Sequence, residues 1–223
     1  MVADPVVVTT GEAITAKLAG RTPVRTLPGR NGTKADVHVY EVEGGKVALK
    51  DYGARGFLAR HALGRFLVRR ECRAYEAAGF VDGLAPFLGR CGPFALATSW
   101  IDAKPLSARD GERVPDTVFD RLEAILDALH AKGVALADLH HRDVLLADDG
   151  TVYVVDLAAA VTGGPLFRRA AAQDRLAAAR MRARFTGRSE AEALQALDPT
   201  TVKMWRRGRR LKRLWDLLRG KGA

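Results

Sequence analysis

Three aspartates within one short stretch constrain this chain more than any other feature. Asp138 follows the small apolar run Ala135-Leu136-Ala137, and Asp143 stands just before Val144-Leu145-Leu146. The chain turns at Asp148-Asp149-Gly150 and returns as Thr151-Val152-Tyr153-Val154-Val155, which ends on Asp156. Two apolar, β-branched runs around an Asp-Gly turn signal a hairpin. The pairing predicts one carboxylate at the hairpin entrance, one at its exit and a third just upstream. Carboxylates on so rigid a support suit a site that collects a base and metal ligands around a transferring phosphoryl group.

The register of these aspartates needs a decision, because His141-Arg142-Asp143 spells the H-R-D of the kinase catalytic loop. With Asp143 as the base, the partner metal ligand falls on Asp148, inside the turn. In the kinase pattern that ligand comes before the first strand. With Asp138 as the base, Asp143 takes the ligand position and Asp156 falls at the strand end, where the D-F-G aspartate belongs. We adopt the second register, which satisfies all three positions.

Upstream, Val47-Ala48-Leu49-Lys50 matches the V-A-I-K strand whose lysine holds nucleotide phosphates. Short apolar strings ending in Lys are common, and alone this one reads as a strand with a solvated end. Its place ahead of the aspartate hairpin favours the phosphate reading. Glu71 lies in the helix-compatible stretch Val68-Arg69-Arg70-Glu71-Cys72-Arg73-Ala74-Tyr75 and is the expected partner that orients Lys50. Glu76 is its rival, and both glutamates also read as solvated helix charges. Gly29 and Gly32, in Leu27-Pro28-Gly29-Arg30-Asn31-Gly32-Thr33, are spaced G-x-x-G. They serve either a phosphate-covering loop or a plain hairpin turn. Val37–Tyr40 and Lys46–Leu49 flank Glu43-Gly44-Gly45, a second hairpin signal. The first half therefore reads as a small antiparallel sheet plus one helix.

From about Val47 to about Asp174 the chain resembles small bacterial kinase-like proteins related to lipopolysaccharide core kinases, including kinases of Kdo (3-deoxy-manno-octulosonic acid). It is more distantly similar to RIO-type atypical kinases. The likeness rests on Lys50-Asp51-Tyr52, on the run from Gly64 to Tyr75, on the run from Leu129 to Leu146, and on Val154-Val155-Asp156-Leu157-Ala158-Ala159-Ala160. It implies an α+β, two-lobed, protein-kinase-like fold with a reduced C-terminal lobe. Residues 1–102 would form a nucleotide-covering lobe of sheet plus helix. Residues 103–223 would form a mainly helical lobe with the catalytic loop. The implied cofactors are ATP and Mg²⁺ (or Mn²⁺). Asp138 would be the catalytic base, Asp143 and Asp156 the metal ligands, and Lys50, Glu71, Gly29 and Gly32 the nucleotide-binding set. The implied reaction moves the γ-phosphate to a hydroxyl, with a sugar or glycolipid of the lipopolysaccharide type as acceptor. A RIO-like serine/threonine protein kinase is the alternative enzyme, and a nucleotide-binding pseudokinase acting as an interaction module is the alternative of another class. Members usually carry Gly before the base and Asn as the first metal ligand; here those positions are Ala137 and Asp143. An aspartate still offers oxygen to Mg²⁺.

The remaining sequence sets bounds on this reading. At 223 residues and 48% hydrophobic, the chain can bury a proper core. No A-P-E follows Asp156, and Gly163-Gly164-Pro165 interrupts the chain soon after it. We expect a short activation segment, which argues against a peptide platform and for a small acceptor. Ser99 to Pro105 reads as the hinge between lobes, where Trp100 either walls the adenine or packs in the core. Asp116 is placed to cap a helix with Val118, Phe119, Leu122, Ile125, Leu126 and Leu129 on one face and Gly133 past its end. Asp174, on a helix from Phe167 to Phe185, either braces the catalytic loop or makes a surface ion pair. Two cysteines, Cys72 and Cys91, form neither a disulfide framework nor a zinc site. The first residues have no basic start, and no run of about 18 apolar residues occurs. A cytoplasmic location is the expectation. Thr200 to Ala223 holds nine Lys/Arg against one acid, +8 of the chain's net +10. Trp205, Leu211, Leu214, Trp215 and Leu218 share one helical face. Such a helix packs on the protein, lies on the anionic inner membrane surface as a peripheral contact, or binds nucleic acid, the last being the least favoured.

Overall fold

The computed structural model describes residues 11–29, 34–54, 56, 59–109, 111–195, 197 and 199. Gly32 and the basic segment Thr200–Ala223 lie outside the described residues. The first half begins with helix α1 (Gly11–Leu18) and strands β1 (Arg25–Leu27), β2 (Asp36–Val42) and β3 (Gly45–Asp51). The expected hairpin at Glu43-Gly44-Gly45 joins β2 to β3, pairing Val42 with Gly45 and Asp36 with Asp51. A π-helical turn at Ala59–Gly64 leads into α2 (Arg65–Ala78), so one helix type gives way to the other at Gly64. Strands β4 (Phe87–Arg90) and β5 (Ala95–Ser99) complete an antiparallel sheet in the order β1-β2-β3-β5-β4.

The period-two alternation of strand side chains decides which residues face which helix. Val47 and Ala97 form a buried cluster with Ile14 and Leu18 of α1, and Leu49 packs against it. Leu96 points the other way and belongs to a cluster with Val68, Cys72 and Tyr75 of α2. Lys50, one residue past Leu49, accordingly shares the α2 face. Burial pushes the Cys72 thiol up to about 12, as expected of a packing residue.

The second half opens with β6 (Lys104–Pro105) and α3 (Asp116–Ala131), followed by β7 (Val134–Ala135) and the hairpin β8 (Val144–Leu146) and β9 (Val152–Val154). Then come β10 (Val161–Thr162), α4 (Phe167–Thr186) and α5 (Glu190–Gln195). β6, β8 and β9 form one small sheet, and β7 pairs with β10. The six apolar residues anticipated on α3 are all buried. Asp116 does not cap this helix. Pro115 occupies the cap position, where its fixed φ of −56° starts the helix without a side-chain bond. Asp116 instead lies in the first turn, favoured there by the helix dipole, and pairs with Arg182 (3.1 Å) and Arg188 (2.6 Å) of the α4 region.

One buried cluster runs through both halves, taking in Val68, Tyr75 and Leu96 together with Phe119, Leu126, Val154 and Leu157. Gly83 locks the connection after α2 to the hairpin. Its carbonyl accepts from Val154 N at 2.7 Å, and Leu84 bridges to Val154. With φ at 86°, any Cβ on Gly83 would lie 2.4 Å from Ile125 Cδ1. The chain is thus α+β: a five-stranded antiparallel sheet, then a helical region packed with small sheets.

Candidate active site

Lys50 reaches across from β3 to α2 and to the end of the aspartate hairpin. Its Nζ lies 2.9 Å from Glu71 Oε2 and 3.0 Å from Oε1, and 2.8 Å from Asp156 Oδ1. Glu71, not Glu76, is the partner; Glu71 is buried and Glu76 is exposed on the far side of the helix turn. Burial works to lower the Lys50 pKa, and the Glu71 and Asp156 carboxylates more than offset it, so the ammonium stays charged. Burial pushes Glu71 up; Lys50 and the Leu157 N–H counter that only in part. A buried carboxylate without its cation would cost several kcal/mol or take a proton, so this pair stands or falls together.

Asp156 ends the hairpin in a left-handed conformation, φ 71°. For a residue with a Cβ that costs about 1–2 kcal/mol. The Ala158 N–H donates to its Oδ1 at 3.1 Å. Desolvation works to raise its carboxyl, and the Lys50 charge and hydrogen bonds outweigh this and hold it below the ordinary carboxylate value. Lys34, two residues after Gly32 in the sequence, adds to the lowering. Sequence reasoning missed Lys34; its signal was only its place behind that loop.

Asp143 lies at the entrance of β8. Its N–H donates to the His140 carbonyl and its own carbonyl accepts from Val155 N, both at 2.9 Å. Desolvation, then the nearby Asp156 charge, push its carboxyl up to about 7; Asp138 adds to the rise and Arg142 opposes it. Asp143 is therefore close enough to Asp156 and Asp138 to feel their charges. Asp148, the ligand required by the rejected register, sits exposed in the β8–β9 turn.

Asp138 is exposed. The residue before it, Ala137, is left-handed, φ 65°. Asp174 holds this turn from beneath: its carboxylate accepts from Leu136 N at 2.7 Å, Ala137 N at 2.8 Å and His130 Nε2 at 3.0 Å. Asp174 is fully buried, so of the two expectations for it the brace is observed and the surface pair is not. The loop's shape is set from a helix distant in sequence.

Gly29 and Trp100 have their hydrogen-bond partners elsewhere. Gly29 is half-buried, and its N–H donates to Asp36 Oδ1 at 2.7 Å. Trp100 is half-buried, neither core nor open wall: its Nε1 donates to Asp102 at 2.7 Å and the Arg25 guanidinium lies 5.9 Å from its ring centre. Two cavities lie elsewhere, one of about 260 Å³ lined by Gly83, Arg121 and Ile125, the other of about 450 Å³ lined by Leu18, Tyr40 and Cys91. Neither includes a residue of this site.

Among the described residues no three His, Cys, Asp or Glu side chains are grouped to hold a metal ion alone. Asp143 and Asp156 offer two mutually repelling oxygen donors. That donor set fits Mg²⁺, which binds through one or two carboxylates and keeps water and phosphate oxygens for the rest. Among the described residues no helix is long and apolar enough to cross a membrane. No protein-family model matches the chain, and no curated protein matches it.

Proposed function

We propose that this chain is a two-lobed, protein-kinase-like phosphotransferase that moves the γ-phosphate of ATP to a hydroxyl group. The observation that carries the reading is Lys50, gripped by buried Glu71 and touching Asp156 across the molecule. A lysine held charged at the mouth of two repelling aspartates is arranged for a polyanion and a divalent cation together.

On this reading Lys50 binds the nucleotide phosphates, and Glu71 fixes its direction. Asp143 and Asp156 hold Mg²⁺ or Mn²⁺, which supplies charge neutralisation at the phosphates. Asp138, exposed on a braced turn, orients the acceptor hydroxyl and takes its proton. Gly29 and Gly32 belong to the loop over the phosphates, and residues 99–105 to the adenine edge. Catalysis is then positioning and charge stabilisation, with little covalent chemistry left to the protein.

The acceptor we favour is a sugar hydroxyl of a lipopolysaccharide-type glycolipid, by analogy with the kinases this sequence resembles. A cytoplasmic enzyme whose Thr200–Ala223 segment meets the anionic inner membrane surface would find such an acceptor there. A protein hydroxyl, as for RIO-type kinases, is the alternative. Residue identity favours a nucleotide-binding pseudokinase instead: Ala137 and Asp143 stand where the resembled family has Gly and Asn. Incubation with γ-labelled ATP and Mg²⁺ against sugar, glycolipid and protein acceptors tests the proposal. Label on a glycolipid supports it. Tight MgATP binding with no transfer to any acceptor leaves the pseudokinase.

A further inference from the structure

Helix α2 does more than carry Glu71. Its Arg70 side chain grips the backbone of the segment that follows Asp156. The Arg70 Nε donates to the Ala160 carbonyl at 2.9 Å and its Nη2 donates to the Ala159 carbonyl. A guanidinium fork usually meets a carboxylate or phosphate. Here it spans two successive carbonyls, the second on a residue only 3% exposed.

We propose that Arg70 is a positioning residue for Asp156, acting through the Ala159 and Ala160 carbonyls. This rests on the reading of Asp156 as a metal ligand. Asp156 is left-handed, and a strained non-glycine backbone persists only where its surroundings over-determine it. Upstream, β9 holds the chain through Val154 and Gly83. Downstream, Arg70 holds it at Ala159 and Ala160. Without the guanidinium, the buried Ala160 carbonyl loses its donor and the segment is free to relax toward negative φ, which swings the Asp156 carboxylate away from its place. Lys50 keeps Glu71. The loss should therefore fall on the metal-dependent part of nucleotide binding and spare the part that Lys50 provides alone.

The experiment titrates full-length protein with ATP at a series of Mg²⁺ concentrations and in excess chelator, for wild type, Arg70→Ala and Arg70→Lys. For Arg70→Ala the Mg²⁺ concentration that half-saturates the enhancement of ATP binding should rise about tenfold or more, the usual cost of losing a support behind a metal ligand. Binding in chelator should stay within about twofold of wild type, since Lys50 is untouched. Arg70→Lys, which keeps the charge and reaches one carbonyl, should fall between, and it substitutes for the alanine variant if that one does not fold. A merely structural role lowers melting temperature and weakens both binding modes alike, or leaves the Mg²⁺ dependence at the wild-type value; either result overturns the role of Arg70 while leaving the nucleotide site intact. Wild type that binds ATP with no Mg²⁺ dependence overturns the metal reading of Asp156 and the role of Arg70 with it.

Discussion

The Asp143 carboxyl is displaced upward from an ordinary carboxylic acid, and its displacement has a sign that can be measured. In the unfolded chain it ionises near the ordinary value of 3.8, while in the folded chain desolvation and Asp156 hold its proton on to about 7. Between those values the folded state binds more protons than the unfolded one. Stability from this group is therefore present at the acid end of that window and lost as pH rises toward 7, with a slope approaching about 1.4 kcal/mol per pH unit. Asp143→Asn should flatten that part of the stability profile, as read by denaturant melts across the window. Mg²⁺ without nucleotide should raise the wild-type melting temperature more at about pH 8 than at about pH 5.5, because the ionised pair binds it better. The same substitution should weaken that metal effect and preserve or raise turnover. Lys50, Glu71 and the aspartates were legible as residues because strand, helix and hairpin patterns announced them. Arg70 and Lys34 were not. They act on backbone atoms or by charge at a distance, and no local pattern marks such a partner.

Among the elements, the turn before Asp138 shows how a helix shapes a loop. Asp174 on α4 satisfies two backbone N–H groups of that turn and the His130 ring. Asp174→Asn leaves one acceptor oxygen for three donors in a fully buried place. It should cost about 2–4 kcal/mol in urea unfolding, because the unmet donors stay buried. A cost under about 0.5 kcal/mol would mean the brace is not one, since that is what a surface pair is worth. Ala137 carries its Cβ at φ 65°. Ala137→Gly should stabilise by up to about 1 kcal/mol, the strain relieved less the added entropy of the unfolded chain. The β8–β9 hairpin and the apolar face of α3 were readable from turn chemistry and spacing. The start of α3 was not placed correctly, since Pro115 competed with Asp116 for the cap position. The π-helical turn before α2 has no sequence signature beyond Gly64, because it differs from an α-helix only in hydrogen-bond register.

Across the whole molecule, the small antiparallel sheet of the first half was legible from its hairpin signals and α3 from its apolar spacing, while the α+β class was expected from the resemblance. The way the halves meet was not visible. It depends on Gly83 and on a buried cluster shared by α2, α3 and β9, all contacts between distant residues. That shared core brings Lys50 from one half against Asp156 from the other. The central claim is that this meeting point binds the phosphates of ATP with a divalent ion, and calorimetric titration of ATP in saturating Mg²⁺ tests it most directly. Wild type should bind saturably, with affinity weakened about tenfold or more by Lys50→Ala and by Asp156→Asn, and changed less than about twofold by Asp138→Ala, since a base acts on the acceptor and not on the nucleotide. No binding by folded wild type, or binding that Lys50→Ala leaves unchanged, would contradict it.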